Sequence, residues 1–416
     1  LSITQPKGFM AAATTAGIKP SGKPDLALLV RTGTGAGASA ACYTRNQIVG
    51  APVEVGRAQR AAHLSGRAPA LRAVLVNAGN SNAATGERGR ADARACMAAA
   101  ARVLGCAAEE VLPSSTGVIG RLLPVEKITA ALPGLAGSLA AGPEADAAFA
   151  RAIMTTDLVP KTSARVVKLA GGEVRLGAAA KGSGMIAPRL DSALGPPAPA
   201  ATMLAFITTD AVIASAELQR ALEGCAAETF DCISVDNHPS CSDTVVSLAS
   251  GASGVVVPKG GRDAGAFADA LRAVCEDLAR QIIADGEGAT RTFTVRVSGA
   301  PTREAALLMA REVVNSPLVK CAIHGKDPNW GRIVTAAGNA GVPIETESAS
   351  LLIGPVEVYA KGVPIPAALT DPRLGEAMGS KHVEVALTVG RGPGAAHVTG
   401  CDLSAAYVSI NADYTT

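Results

Sequence analysis

Short apolar runs recur along the chain, broken by turn residues, and their periods differ from place to place. "DLALLV" (25–30) and "RAVLVN" (72–77) are nearly continuous apolar runs and predict buried strands. "SARVVKLA" (163–170) and "GEVRLGAA" (172–179) flank Gly171 and predict a hairpin. "TFTVRVSG" (292–299) sets Phe293, Val295 and Val297 against Thr294 and Arg296, and "HVEVALTV" (382–389) sets Val383, Val385, Leu387 and Val389 against polar or small residues. That period of two is the mark of a strand with unlike faces. Between these runs the period lengthens. Residues 263–288 place Phe267, Leu271, Val274, Leu278 and Ile282 on one helical face. "TREAALLMAREVV" (302–314) opens on Thr302 as a cap with Glu304 in the first turn, and residues 87–104 and 214–229 also predict helices. No repeat of fixed period occurs. Hairpin signals mixed with strand–helix alternation predict a layered α/β protein with substantial antiparallel sheet, not a doubly wound parallel one. The clear break in composition, "RLDSALGPPAPA" (189–200), predicts an exposed loop.

Composition narrows the class. The chain has 416 residues, 48% hydrophobic, with 45 Gly and 25 Pro, enough for a large core and two or three domain-sized units. Its 38 basic and 36 acidic residues leave a net charge of +2, which argues against a nucleic-acid or membrane surface built on bulk charge. Aromatics are 3%, with one Trp, too few for a base-stacking platform. Nine cysteines are scattered without a C-x-x-C pair, which suits a reducing compartment. The apolar tract 128–141 is broken by Gly and Pro and is short for a bilayer span. Residue 1 is Leu, so a trimmed or processed start is expected, with any targeting peptide out of view.

Several motifs invite a ligand. "GIKPSGK" (17–23) fits the first seven places of a phosphate-binding P-loop, but Pro24 stands where Ser or Thr would hold Mg²⁺, and a strand follows. "GTGAGA" (33–38) has the glycine spacing of a dinucleotide turn, with Glu54 downstream, but no long helical face follows to receive a pyrophosphate. "CISVDNHPSCSD" (232–243) gathers Cys232, Asp236, His238, Cys241 and Asp243 in no standard zinc spacing, so a polar loop competes with a metal site. His63, His324, His382 and His397 are isolated and read as structural. Thr202 stands behind two alanines and ahead of the apolar "MLAFI", directly after the Pro/Gly-rich tract.

Nine segments together resemble one family in the right order along nearly the whole chain: "PKGFMAAATTAGIKPSGKPDLALLV" (6–30), "NAGNSNAATG" (77–86), "SSTGVIG" (114–120), "AIMTTDLVPK" (152–161), "AKGSGMIAP" (180–188), "ATMLAFITTDA" (201–211), "DGEGAT" (285–290), "NSPLVKCAIHGKDPNWGR" (315–332) and "CDLSAAYVSINADYTT" (401–416). They resemble the ornithine acetyltransferase, or glutamate N-acetyltransferase, family, and the ending "NADYTT" is similar to plant members. The resemblance implies the layered α/β/β/α fold of the N-terminal-nucleophile acyltransferase–aminopeptidase group. It implies self-cleavage between Ala201 and Thr202, giving an α chain 1–201 and a β chain 202–416 that stay together in a heterotetramer of two of each. It further implies that Thr202 is the nucleophile and that Thr116 and Gly117 form an oxyanion hole. Thr155, Lys181, Glu287, Asn411 and Thr416, with Thr202, would bind N-acetylornithine and glutamate. No metal or organic cofactor is implied; acetyl-CoA is a candidate second acetyl donor. The plant-like ending implies a plastid location, and a bacterial member would be cytoplasmic. Without the family, "SSTGVIG" reads as a tight turn, Lys181 and Glu287 as solvated charges, and Glu287 as a helix-end residue.

Two departures from the family pattern stand out. The family's short spacer before the nucleophile is replaced here by Arg189–Ala200, and Ala187 stands where many members carry His. "DNHPSCSDT" keeps only Asp236, Ser240, Asp243 and Thr244 of the family's pattern. Three other readings stay open: a hydrolase of the same fold with water as acceptor, an uncut inactive relative, and a nucleotide-dependent enzyme.

Overall fold

The computed structural model describes residues 2–33, 37–191 and 203–413. In chain order the first strands are β1 (Phe9–Thr14), β2 (Leu26–Arg31), β3 (Ala38–Tyr43), β4 (Ala73–Asn80), β5 (Val111–Val118), β6 (Lys161–Leu169), β7 (Gly172–Lys181) and β8 (Leu204–Thr209). They are followed by β9 (Ile233–Ser234), β10 (Thr244–Ala249), β11 (Thr292–Ala300), β12 (Ser350–Ile353), β13 (Val356–Ala360), β14 (Val363–Pro364), β15 (His382–Thr388) and β16 (Gly394–Cys401). The chain divides into two compact units. One holds residues up to Asp231 and His238–Ile282; the other holds Cys232–Asn237 and the chain from Ile283 on.

The first unit has two sheets, ordered β1-β2-β4-β5 and β3-β10-β8-β7-β6. Strand β2 is buried along its whole length because each of its faces meets a different layer. Ala27 and Leu29 join Val74, Leu112, Tyr43, Phe206 and Val246 in a core between the two sheets. Leu26, Leu28 and Val30 join Cys96, Ala100, Ile128 and Leu132 under the helices Gly86–Leu104 and Val125–Gly137. A strand covered on both faces has no polar positions to alternate with, which is why "LALLV" is continuous. On the far side of the second sheet, Gln219 of the helix Ser215–Glu228 bonds both the N–H and the C=O of Ala41 in β3. Gln281 of the helix Gly261–Ala284 does the same for Thr162 in β6. The unit is therefore layered α/β/β/α, as expected.

The second unit is a seven-stranded sheet ordered β14-β13-β12-β15-β11-β16-β9. Phe293, Val295 and Val297 of β11 bury one face against Met309, Val313 and Val314 of the helix Arg303–Asn315. Thr302 caps that helix, its side chain accepting from Ala305 N at 3.2 Å.

Four expectations are corrected. The tract 128–141 falls largely within the helix Val125–Gly137, which carries Pro133 internally; among the described residues no helix is long and apolar enough to cross a membrane. The helix predicted over 263–288 ends at Ala284, so Glu287 lies in the following loop. "SSTGV" is not a turn but the end of β5. Of the tract 189–200, Leu190 is buried and its N–H reaches Asp231 Oδ1 at 2.8 Å, so the tract starts packed rather than exposed; residues 192–200 lie outside the described residues.

Candidate active site

In the first unit, three of the residues singled out above converge at strand ends. Strand β4 runs past its apolar part through "NAG" and pairs in parallel with β5, with Gly79 opposite Gly117. Gly117 has φ +130°, and a Cβ there would lie 2.4 Å from the Gly79 carbonyl carbon, so only glycine lets the two backbones meet. Lys181 closes β7 and pairs with Leu204 at the start of β8. Its side chain is almost wholly buried. Lys181 Nζ donates to Thr155 Oγ1 at 2.7 Å and to Thr116 Oγ1 at 3.3 Å. The expectation of a solvated Lys181 is thus corrected: it is an interior ammonium between two hydroxyls.

The loop carrying Thr155 is tied to the same strand end by Asp157, which the sequence reading passed over. Asp157 Oδ2 accepts from Thr155 N at 2.9 Å; Oδ1 accepts from Gly182 N at 2.6 Å and from Lys161 Nζ at 2.7 Å. Burial by itself would raise this carboxyl, but the Lys181 and Lys161 charges outweigh it and hold it at about 2. The only signal in the sequence was the Asp-x₃-Lys spacing of "DLVPK", which is not helical here.

On the other side of β8, Asp243 is fully buried and its Oδ1 accepts from Met203 N at 2.5 Å, on the residue after Thr202. Burial pushes its carboxyl well above the usual carboxylate range, against the opposing pull of the Met203 amide and the Lys181 charge. Its Oδ2 has no partner among the described residues. Ala201 and Thr202, and likewise Thr416, lie outside the described residues.

The second unit brings together the other two candidates. Asn411 Nδ2 donates to Glu287 Oε2 at 2.9 Å, and Glu287 is buried rather than solvated. Asp402 shapes the loop behind Glu287, accepting from Thr290 N at 2.8 Å and Arg291 N at 3.0 Å.

The competing motifs fare differently. In 17–23, buried Asp25 takes the amides of Ile18 and Lys19, at 2.5 and 2.9 Å, and that of neighbouring Ala16 at 2.6 Å. These are the amides a phosphate would need, and a carboxylate already fills their place, so the P-loop reading fails. The segment 33–38 leads into β3 and not into a helix, so it cannot present a dinucleotide turn, and Glu54 is ion-paired with Arg90. Among the described residues no three metal-ligating side chains converge, including Cys232, Asp236, His238, Cys241 and Asp243. His63 and His324 are not isolated: they lie 2.7 Å from Ser215 Oγ and Asp402 Oδ2 respectively.

Comparison with known proteins agrees with the site. The model of the ArgJ family matches residues 10–416. The arginine biosynthesis bifunctional protein ArgJ of Thermus thermophilus is 44% identical over 416 residues, covering 100% of both chains. That of Chlorobaculum tepidum is 42% identical over 413 residues, covering 99% of this chain and 97% of that protein. The chain belongs to the ArgJ family. Among solved structures, the ornithine acetyltransferase of Mycobacterium tuberculosis, complexed with ornithine, is 39% identical; the match covers 45% of this chain and 95% of that chain, with a TM-score of 0.41. The α/β architecture expected of an ArgJ-family chain is the one observed, and the nucleotide-dependent reading ends here.

Proposed function

We propose that this ArgJ-family chain is a glutamate N-acetyltransferase of arginine biosynthesis, moving the acetyl group of N2-acetylornithine to glutamate through an ester on Thr202. The observation that carries the proposal is the interior ammonium of Lys181 set between the Thr116 and Thr155 hydroxyls, at the strand end paired with the chain just beyond Thr202. Self-cleavage at Ala201–Thr202 would free the α-amino group of Thr202. With an ordinary pKa of about 7.7–8.0, that amine is partly neutral at working pH and can take the hydroxyl proton. The hydroxyl oxygen attacks the acetyl carbonyl, and Thr116 and the Gly117 backbone meet the developing oxyanion. The C–N bond breaks, the amine returns its proton, and ornithine leaves. Glutamate's amine then attacks the ester, N-acetylglutamate departs, and the Thr202 hydroxyl is restored.

Lys181 supplies a cation for the α-carboxylate that both substrates carry, and Glu287, held by Asn411, supplies an anion for a substrate ammonium; Thr416 completes the substrate contacts. Acetyl-CoA is a second acetyl donor in this reading, consistent with the name of the bifunctional relatives. The chains 1–201 and 202–416 form a heterotetramer of two of each. The plastid location rests on the plant-like "NADYTT" ending, and the relatives reported above are bacterial.

Intact mass under denaturing conditions tests the first step. Two fragments meeting at Ala201–Thr202 are expected, and a single full-length mass from both the native chain and Thr202→Ala would overturn the mechanism. Glutamate dependence separates transfer from hydrolysis: acetate release independent of glutamate marks the hydrolase.

A further inference from the structure

Asp157 and Lys161 lie outside the residues that the family resemblance points to, yet the side chains of both are fully buried beside Lys181. The two ammonium groups are held very differently. Lys161 Nζ makes a direct ion pair with Asp157 Oδ1 at 2.7 Å and also donates to Val159 O at 3.2 Å. Lys181 Nζ stands 3.9 Å from Asp157 Oδ2, beyond hydrogen-bond reach, and donates to Thr155 and Thr116 instead. In an interior of low effective dielectric a carboxylate attracts a cation strongly at this range. What limits its pull on Lys181 is the charge of Lys161 on the same carboxylate. The Gly182 and Thr155 amides fix the Asp157 carboxylate in place, so it cannot turn away from either lysine.

We infer that Lys161 is a positioning residue for acetyl transfer: by neutralising Asp157 it keeps Lys181 from collapsing onto that carboxylate and leaves the Lys181 ammonium available to a substrate carboxylate. The inference rests on the role given to Lys181 in the proposed function. It predicts an unusual pattern of variants. Lys161→Met leaves Asp157 charged with one cation to claim, and Lys181 moves onto it. Asp157→Asn added to Lys161→Met removes both charges and with them the pull, while the Asn side-chain oxygen still accepts from one of the two amides. The damage of the first change is then largely undone by the second.

The experiment is steady-state kinetics on the full chain with N2-acetylornithine and glutamate. Lys161→Met is expected to raise the KM of both substrates about tenfold or more with a smaller change in kcat, the signature of lost ground-state binding. The double variant is expected to return to within about threefold of the native KM. A purely structural pair predicts a double variant at least as impaired as Lys161→Met, and that result overturns the inference. If Lys161→Met does not fold, the double variant decides alone: near-native KM supports the inference, and a KM raised about tenfold refutes it. The native chain is assayed first, and its failure to transfer acetyl would count against the proposed function. Calorimetric titration with glutamate would then read the same pattern as affinity, with equal binding by the native chain and both variants overturning the inference.

Discussion

Gly117→Ala isolates what the close approach of β4 and β5 is worth. Two costs add. At φ +130° a residue with a Cβ is held in a sparsely populated region, at about 1–3 kcal/mol. The new methyl would also lie 2.4 Å from the Gly79 carbonyl carbon and 2.6 Å from Asn80 N, and both are backbone atoms of a paired strand that cannot rotate aside. Forcing such a pair apart costs about 1–3 kcal/mol more. The sum, about 2–6 kcal/mol, is a large share of the 5–15 kcal/mol typical of a folded domain. Gly105→Ala is the control: Gly105 has φ +61° at the end of the helix Gly86–Leu104, but nothing lies within 4 Å of the Cβ it would gain. It should show only the conformational cost, about 1–2 kcal/mol. Urea unfolding followed by far-ultraviolet circular dichroism gives both numbers. If the oxyanion donors sit as proposed, Gly117→Ala also lowers kcat by about 10²–10³-fold, while Gly105→Ala leaves it alone. A Gly117→Ala variant no less stable than the control and equally active would refute the backbone argument and the site built on it.

Two further expectations concern buried charges. Because burial raises the Asp243 carboxyl in the folded state, its contribution to stability is full below the ordinary carboxylate pKa of about 3.8 and is lost as pH rises through the raised value. Asp243→Asn, which still accepts from Met203 N, should therefore gain thermal midpoint relative to the native chain on going from pH 5 to pH 8; a constant difference would show that Asp243 is not held protonated. Burial lowers the Lys19 ammonium to about 8, with Asp25 opposing and Lys181 adding to the shift. A lysine side-chain carbon resonance titrating near that value should be visible by NMR and absent in Lys19→Arg, and titration of every lysine near 10.4 would contradict the packing seen around it.

Much of the fold was legible in the sequence because local periodicity reports how many faces an element buries. The period of two in 292–299 and 382–389 gave strands with one face on a helix layer, the continuous run 25–30 gave a strand covered on both, and Thr302 marked its helix start at the residue that caps it. The motif strings also placed Thr116, Thr155 and Lys181 as candidates, but not as neighbours: 65 residues separate Thr116 from Lys181, and only the sheet register closes that distance to 3.3 Å. Polar strand ends escaped notice for a related reason. "NAG" and "SSTGV" carry no apolar signal, and their pairing comes from backbone hydrogen bonds that any side chain permits. The state of a charge was least accessible of all. Lys181 and Glu287 read as solvated and Asp157 went unremarked, because burial, neighbouring charge and hydrogen bonding are properties of the packed interior. The order of residue types along the chain determined which elements form and which side chains could do chemistry; which of them are buried, which are paired and how they titrate was decided by the layers that bring distant strands together.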